Sequence, residues 1–157
     1  MSKSLKRVRK AIEDAGLKAE IRETGDARTA QMAADELGVE VDQIAKSIIF
    51  KAETSGEAVL FITAGGNQVD ARLASELVDE PLGKADAALV RSQTGFAIGG
   101  VSPIGHLSPI RAWMDPRLLE FSIIWAAAGT PRHVFQCCPE DLPKLSGSTL
   151  ADFVAKN

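Results

Sequence analysis

Ser47-Ile48-Ile49-Phe50-Lys51, a turn over residues 53–57, and then Ala58-Val59-Leu60-Phe61-Ile62-Thr63 form the stretch that decides the fold. Two short runs rich in β-branched and aromatic residues, separated by a turn, predict neighbouring strands joined as a hairpin. Upstream the spacing is helical. Leu5, Val8, Ile12 and Leu17 behind Ser4, with Gly16 as a stop, predict a helix over residues 4–15. Residues 18–23 alternate as a short strand. Thr29 then caps a helix through Ala30, Met32, Ala33 and Leu37 that Gly38 closes, and one further turn covers 41–45. Downstream, a loop at Ala64-Gly65-Gly66-Asn67 precedes helices over 69–77 and 85–93, and Phe96-Ala97-Ile98 reads as a strand entering a loop at 99–106. Strands follow over 110–114, 122–127 and 132–138, with short helices at 116–119 and from Pro139, and residues 148–154 close the chain. Strands scattered among helices of irregular length, with several direct hairpins, predict an α+β fold: a mixed, largely antiparallel central sheet flanked by helices.

The chain has 157 residues, 45% hydrophobic and 25% charged, which predicts one domain over 1–157. A chain of this length buries about 68 to 70% of the surface its unfolded form exposes, enough for a core without disulfides or a structural metal. The net charge of -3 excludes a protein that grips nucleic acid by bulk charge, so any such contact must be local. No apolar run approaches the roughly 20 residues of a membrane span, and the basic N-terminus has no apolar stretch behind it. A cytoplasmic protein is expected.

Several chemistries find no footing. Cys137 and Cys138 are neighbours and staple nothing distant. A zinc site would have to gather His106, His133 and these cysteines with no ligand spacing to announce it. Neither a serine-hydrolase elbow nor a phosphate-cradling Walker loop occurs. No metal or cofactor is expected.

Chemistry has better footing in three other places. Residues 99–106 hold three glycines and Pro103, a shaped loop that either brings its backbone against a ligand or is only a tight turn. Lys46 stands where a helical turn meets an apolar strand, which places its charge at the end of a sheet, as a functional group or as surface decoration. The basic face of the first helix, Lys3, Lys6, Arg7, Arg9 and Lys10, is either solvated or a phosphate-contacting patch.

Thr29-Ala30-Gln31, Leu37-Gly38-Val39, the run from Gln43 through Lys46-Ser47 to Phe50, the G-x-x-x-P loop from Gly99 to Pro103 with Ile104-Gly105 behind it, Ala128-Gly129 and Pro139-Glu140-Asp141-Leu142 together resemble the YbaK/ProX family. These are free-standing relatives of the editing (INS) domain of bacterial prolyl-tRNA synthetase. The similarity runs in order through about residues 5–154, and the lysine with the G-x-x-x-P loop is its most specific part.

The resemblance implies a trans-acting deacylase that hydrolyses the ester of mischarged tRNA, with tRNA(Pro) carrying alanine or another small residue as the expected substrate. A synthetase or elongation factor is a possible partner. The resemblance makes Lys46 the functional lysine, with Gly99 and Gly100 beside it in the catalytic set. Ser47, Thr29, Ser102, Pro103 and His106 become substrate-binding, and Ala128 and Gly129 pocket walls. For such a substrate the basic face of the first helix offers Lys6, Arg7 and Lys10 as tRNA contacts. Two positions depart from the pattern: Arg28, where relatives often carry His or Ser, and Ala128, where many carry Ser; both bear on which amino acid is removed. The absent nucleophile is consistent with this chemistry, because an aminoacyl ester is already activated and needs only a positioned water and donors for developing negative charge. The resemblance further implies that the terminal 2'-hydroxyl, or a group on the substrate, helps activate that water. Lys46, protonated at neutral pH, would orient the 3' end; His106 is the one nearby candidate for a side-chain base, against a loop-stabilising or substrate-contacting role, which is the reading preferred. The rival is a non-catalytic module that binds an acceptor end or an aminoacyl-like ligand.

Overall fold

A computed structural model describes residues 2–25 and 27–156 of the chain. In order they form α1 (Lys3–Asp14), β1 (Ile21–Glu23), α2 (Ala30–Leu37), a 3-10 turn Val41–Gln43, β2 (Ile44–Ala52), β3 (Ala58–Ala64), α3 (Ala71–Val78), β4 (Leu82–Lys84), α4 (Ala87–Thr94) and β5 (Arg111–Met114). A 3-10 turn Pro116–Glu120, β6 (Ile124–Thr130), β7 (His133–Cys137), a 3-10 turn Pro139–Asp141, α5 (Leu142–Ser146) and β8 (Thr149–Leu150) complete the chain. Side-chain oxygens of Ser2, Thr29, Asp70 and Asp86 accept from first-turn amides and start the four longer helices.

The sheet runs β1-β7-β6-β2-β3-β5-β8, with β4 also on β2. The hairpin that decides the fold is present: β2 and β3 pair antiparallel from Ala45 against Ala64 to Lys51 against Ala58. The sheet is mixed. β2/β6, β3/β5 and β5/β8 are parallel, and the remaining pairings are antiparallel. One face is covered by α1, whose Leu5, Val8 and Ile12 pack with Leu60, Ile62, Ala126 and Phe135 in the main core. On the other, Phe61 stacks on Trp113 and meets Phe153 edge-on beside Ala74 and Val78 of α3, while Ala33 and Ala34 of α2 pack with Ile44 and Trp125.

Two elements differ from expectation. Phe96-Ala97-Ile98 is not a strand: left-handed Gly95 closes α4, Thr94 Oγ1 accepts from the Phe96 amide, and the Thr94 carbonyl accepts from Leu107, so the segment is a loop with Phe96 as its buried anchor. β4 carries no strand pattern, since Pro81 and Gly83 interrupt it, yet it pairs with residues 50–52 of β2.

Candidate active site

β2 meets β6 only at Ile44 and Ala45, and meets β4 only from Phe50 onward. Between them residues 46–49 have no sheet neighbour on that side, and a cavity of about 350 Å³ opens at this break. Its walls come from the start of α2 (Thr29, Ala30, Ala33), β2 (Lys46, Ser47), the 99–101 loop, β6 (Trp125, Ala126, Ala127) and the turn into β7 (Thr130, Pro131, His133). Successive strand residues point to opposite faces, yet Lys46 and Ser47 both line this one cavity, because it wraps the unpaired edge.

Both carry unused polar capacity. Lys46 is half-buried and has no ion pair or hydrogen bond among the described residues. Burial pulls its ammonium below the ordinary lysine value, while Asp42 and Asp115 draw it back up from beyond ion-pair distance. Ser47 Oγ is the one buried side-chain polar atom among the described residues that lacks a hydrogen-bond partner. A group left unsatisfied inside a protein costs about 1–3 kcal/mol, a cost that falls on Ser47 Oγ, while Lys46 is only half-buried. Gly99 lines the cavity with φ +94° and open space where a Cβ would stand, a backbone that side chains rarely adopt.

A family model for the aminoacyl-tRNA editing domain matches residues 24–145. The chain belongs to this family. Among solved structures, a candidate trans-editing enzyme for prolyl-tRNA synthetase superposes with a TM-score of 0.91 at 42% identity, covering 99% of both chains. The uncharacterized protein YwhH of Bacillus subtilis is 28% identical over 82% of each chain. EbsC of Enterococcus faecalis, a candidate Cys-tRNA(Pro)/Cys-tRNA(Cys) deacylase, is 24% identical over 83% of this chain and 80% of its own.

Within this editing domain the expected site residues fall into two groups. Lys46, Ser47, Thr29 and Gly99 line the cavity, Thr29 with its hydroxyl already accepting from the Met32 amide. Gly100, Ser102, Pro103, His106, Ala128 and Gly129 lie outside the lining. Gly100 instead lets the loop press on the turn after β6: a Cβ there would stand 2.9 Å from the Thr130 backbone. Ser102 is buried and accepts from the Ile104 amide. Pro103 and His106 border a separate groove against residues 145–147. His106 Nε2 lies 2.7 Å from the Ser102 carbonyl and its ring meets Phe96 edge-on, contacts that hold its own loop together outside the cavity. Ala128 is buried in the core under α1, and Gly129 lies against the Ser4 carbonyl; the strand turns both away from the cavity, and Ala126, Ala127 and Thr130 form the wall.

Of the expected tRNA contacts, Arg7 is committed internally. Its Nη2 donates to the Gly95 carbonyl at 2.6 Å and its Nε to the Gly105 carbonyl at 3.2 Å, with the guanidinium over the Phe96 ring. Lys10 pairs with Asp14 at the surface, and Lys6 is exposed.

Sequence reasoning missed Trp125, Thr130 and His133 as wall residues. His133 Nδ1 lies 2.7 Å from Thr130 Oγ1, which also accepts from the Arg132 amide. The imidazole tautomer sets which of the two donates, and Nε2 lies 3.9 Å from Glu23 Oε2. Of the two histidines, it is His133 that reaches the cavity. The available signal was its place at the start of a strand just after Pro131-Arg132, a turn that presents side chains at a sheet end. Cys137 is inert: burial pushes its thiol up to about 12.

Proposed function

We propose that the chain is a trans-acting aminoacyl-tRNA deacylase whose reaction centre is this cavity. The observation that carries the reading is the juxtaposition, in a cavity of an editing-family protein, of a half-buried lysine and a buried hydroxyl that the fold leaves without partners. At about 350 Å³ the space lies at the small end of ligand pockets, about 300–1,000 Å³. It suits an aminoacyl group with its ribose, the rest of the acceptor end lying outside.

In the reaction, water adds to the ester carbonyl, the carbonyl oxygen takes negative charge in the tetrahedral intermediate, and collapse releases the amino acid and the ribose hydroxyl. Lys46, as a cation, orients the 3' end and meets negative charge through charge-assisted hydrogen bonds. Ser47 Oγ offers a donor, and Gly99 and the loop behind it shape the backbone near the ester. His133 is the side-chain base at hand in the cavity: with Nδ1–H donating to Thr130 Oγ1, Nε2 keeps the lone pair that takes a proton from water. Walls built from Ala27, Ala30, Ala33, Ala126 and Ala127 suit a small uncharged side chain, which agrees with alanine on tRNA(Pro) as the substrate. A synthetase or elongation factor supplies tRNA identity that the cavity is too small to read, and the cytoplasm is the place of action.

The test is release of free amino acid from a panel of tRNAs charged with alanine, cysteine, serine, threonine and proline, with binding of uncharged tRNA measured alongside. Release of one or more small residues supports the reading. Binding of the acceptor end with no release from any of them would make the protein a recognition module.

A further inference from the structure

The Ala64-Gly65-Gly66-Asn67 loop takes no part in the cavity wall, yet it is the hub of a polar cluster just behind Lys46. Asp115, buried at 2% exposure, accepts through Oδ2 from the Ala64 amide (3.1 Å) and Asn67 Nδ2 (2.9 Å), and through Oδ1 from the Arg117 amide (2.9 Å). Asp42 accepts from the Gly66 amide through Oδ1 (2.8 Å) and from Arg117 Nε through Oδ2 (2.9 Å). Arg117 also pairs with exposed Glu120. Two carboxylates and one guanidinium thus close the open end of the β2–β3 hairpin.

Charge is out of balance there. Arg117 is shared between Asp42 and Glu120, one cation for two carboxylates, and Asp115 has no cation within ion-pair distance among the described residues. Burying a carboxylate is costly unless it is compensated. Lys46 is the mirror case, a half-buried cation with no partner, and it sits opposite Thr63, one rung from the Ala64 amide that Asp115 holds and four residues beyond Asp42. Asp115 accepts at both oxygens, which an amide with one oxygen and a donor nitrogen does not, whereas the single backbone amide on Asp42 can be held by an amide oxygen.

We propose that Asp42 and Asp115 are positioning residues that hold Lys46 as a cation facing the cavity, acting across the open end of the hairpin without a direct ion pair. The role in turnover rests on the deacylase reading; the electrostatic role does not. In the half-buried setting the field of fixed carboxylates is less screened than at the surface. It offsets the desolvation that would favour a neutral amine, and Asp42 contributes more than Asp115. Other charged groups around Lys46 are Arg28 and His133 on the cavity side and Arg117 with Glu120 behind; β3 and β6 contribute none.

Isotope-labelled lysine NMR, with the Lys46 resonance assigned through Lys46→Arg, reads this directly. Asp42→Asn, which keeps an acceptor for the Gly66 amide, is expected to lower the Lys46 titration midpoint by about half a unit or more. Asp115→Asn is expected to lower it less, and it carries the test if Asp42→Asn does not fold. Simple loosening of the loop would hydrate the ammonium and raise the midpoint, so a fall separates charge from structure. On mischarged tRNA the alkaline limb of the pH–rate profile should shift down with the midpoint. An unchanged or raised midpoint in the folded variants overturns the proposal. A wild-type protein that releases no amino acid removes the deacylase reading and leaves the titration result standing.

Discussion

The cavity at the β2–β6 break and the corner around His106 present similar ingredients: a glycine-containing loop, a basic residue and a serine. They use them in opposite ways. At the corner every partner is internal: Arg7 holds two carbonyls and an aromatic face, His106 holds the Ser102 carbonyl, and Ser102 caps its own turn. At the cavity Lys46 and Ser47 are left open. Residue type alone does not separate a binding site from a buried joint; what separates them is whether the fold has already spent the hydrogen-bonding capacity.

That contrast is broken most directly at its strongest point. Lys46→Ala should lower kcat/KM for deacylation about a hundredfold, as loss of a charged transition-state donor does, with a thermal midpoint close to wild type because the lysine side chain makes no ion pair or hydrogen bond among the described residues. Gly100→Ala drives a Cβ into the Thr130 backbone and displaces the loop that carries Gly99. Turnover on every accepted amino acid should fall by about tenfold to a hundredfold, read in the same release assay. Ala127→Val and Ala128→Val sharpen the cavity side. The first narrows the wall and should shift selectivity among small amino acids by about 1–3 kcal/mol; the second overpacks the core under α1 and should appear in thermal unfolding as about 1–3 kcal/mol of lost stability.

At the corner, Arg7→Ala should cost about 1–3 kcal/mol of stability by leaving two carbonyls unsatisfied, while the salt dependence of tRNA binding stays put. Lys6→Ala should do the reverse, flattening the slope of log affinity against log salt by about 0.7 to 0.9 if Lys6 meets a phosphate. The smallest effect belongs to His106. Burial, and to a lesser extent Arg7, hold its pKa below the ordinary histidine value despite the Ser102 carbonyl. The unfolded chain therefore takes up a proton at about pH 6.5 that the folded ring refuses, so stability falls as pH drops below that point and levels off once the folded ring also protonates. His106→Gln should remove that slope in denaturant titrations across the acid range.

The fold was legible where periodicity was strong. α1, α2 and the β2–β3 hairpin follow from their apolar spacing and caps, and the pairing of helices with a mixed sheet follows from their order. Phe96 misled because a large apolar residue after a helix stop reads as a strand start, whereas here it anchors a loop. That Lys46, Ser47, Thr29 and Gly99 line one cavity was legible in part: Lys46 from its place at a strand start and Gly99 from its shaped loop, Ser47 and Thr29 from the motifs that carry the family resemblance. Ala128 and His106 were not: on a bulged strand the face a residue shows depends on the register shift between Ala127 and Thr130, and His106 turns on a loop whose course is set by Arg7, far away in sequence. His133 joins the cavity from the turn that follows this bulge, and its place at a strand start was the only local sign of it.

The central claim is that the break between β2 and β6, with its unpaired lysine and hydroxyl, is where the aminoacyl end binds. Titrating a non-hydrolysable aminoacyl-amino-adenosine into amide-labelled protein tests it. The account predicts saturable shifts at Lys46, Ser47, Gly99, Ala127 and Thr130, lost in Lys46→Ala, with Ser102, His106 and Leu107 unmoved. Shifts centred on His106 and residues 145–147, with Lys46 and Ser47 silent, would contradict it.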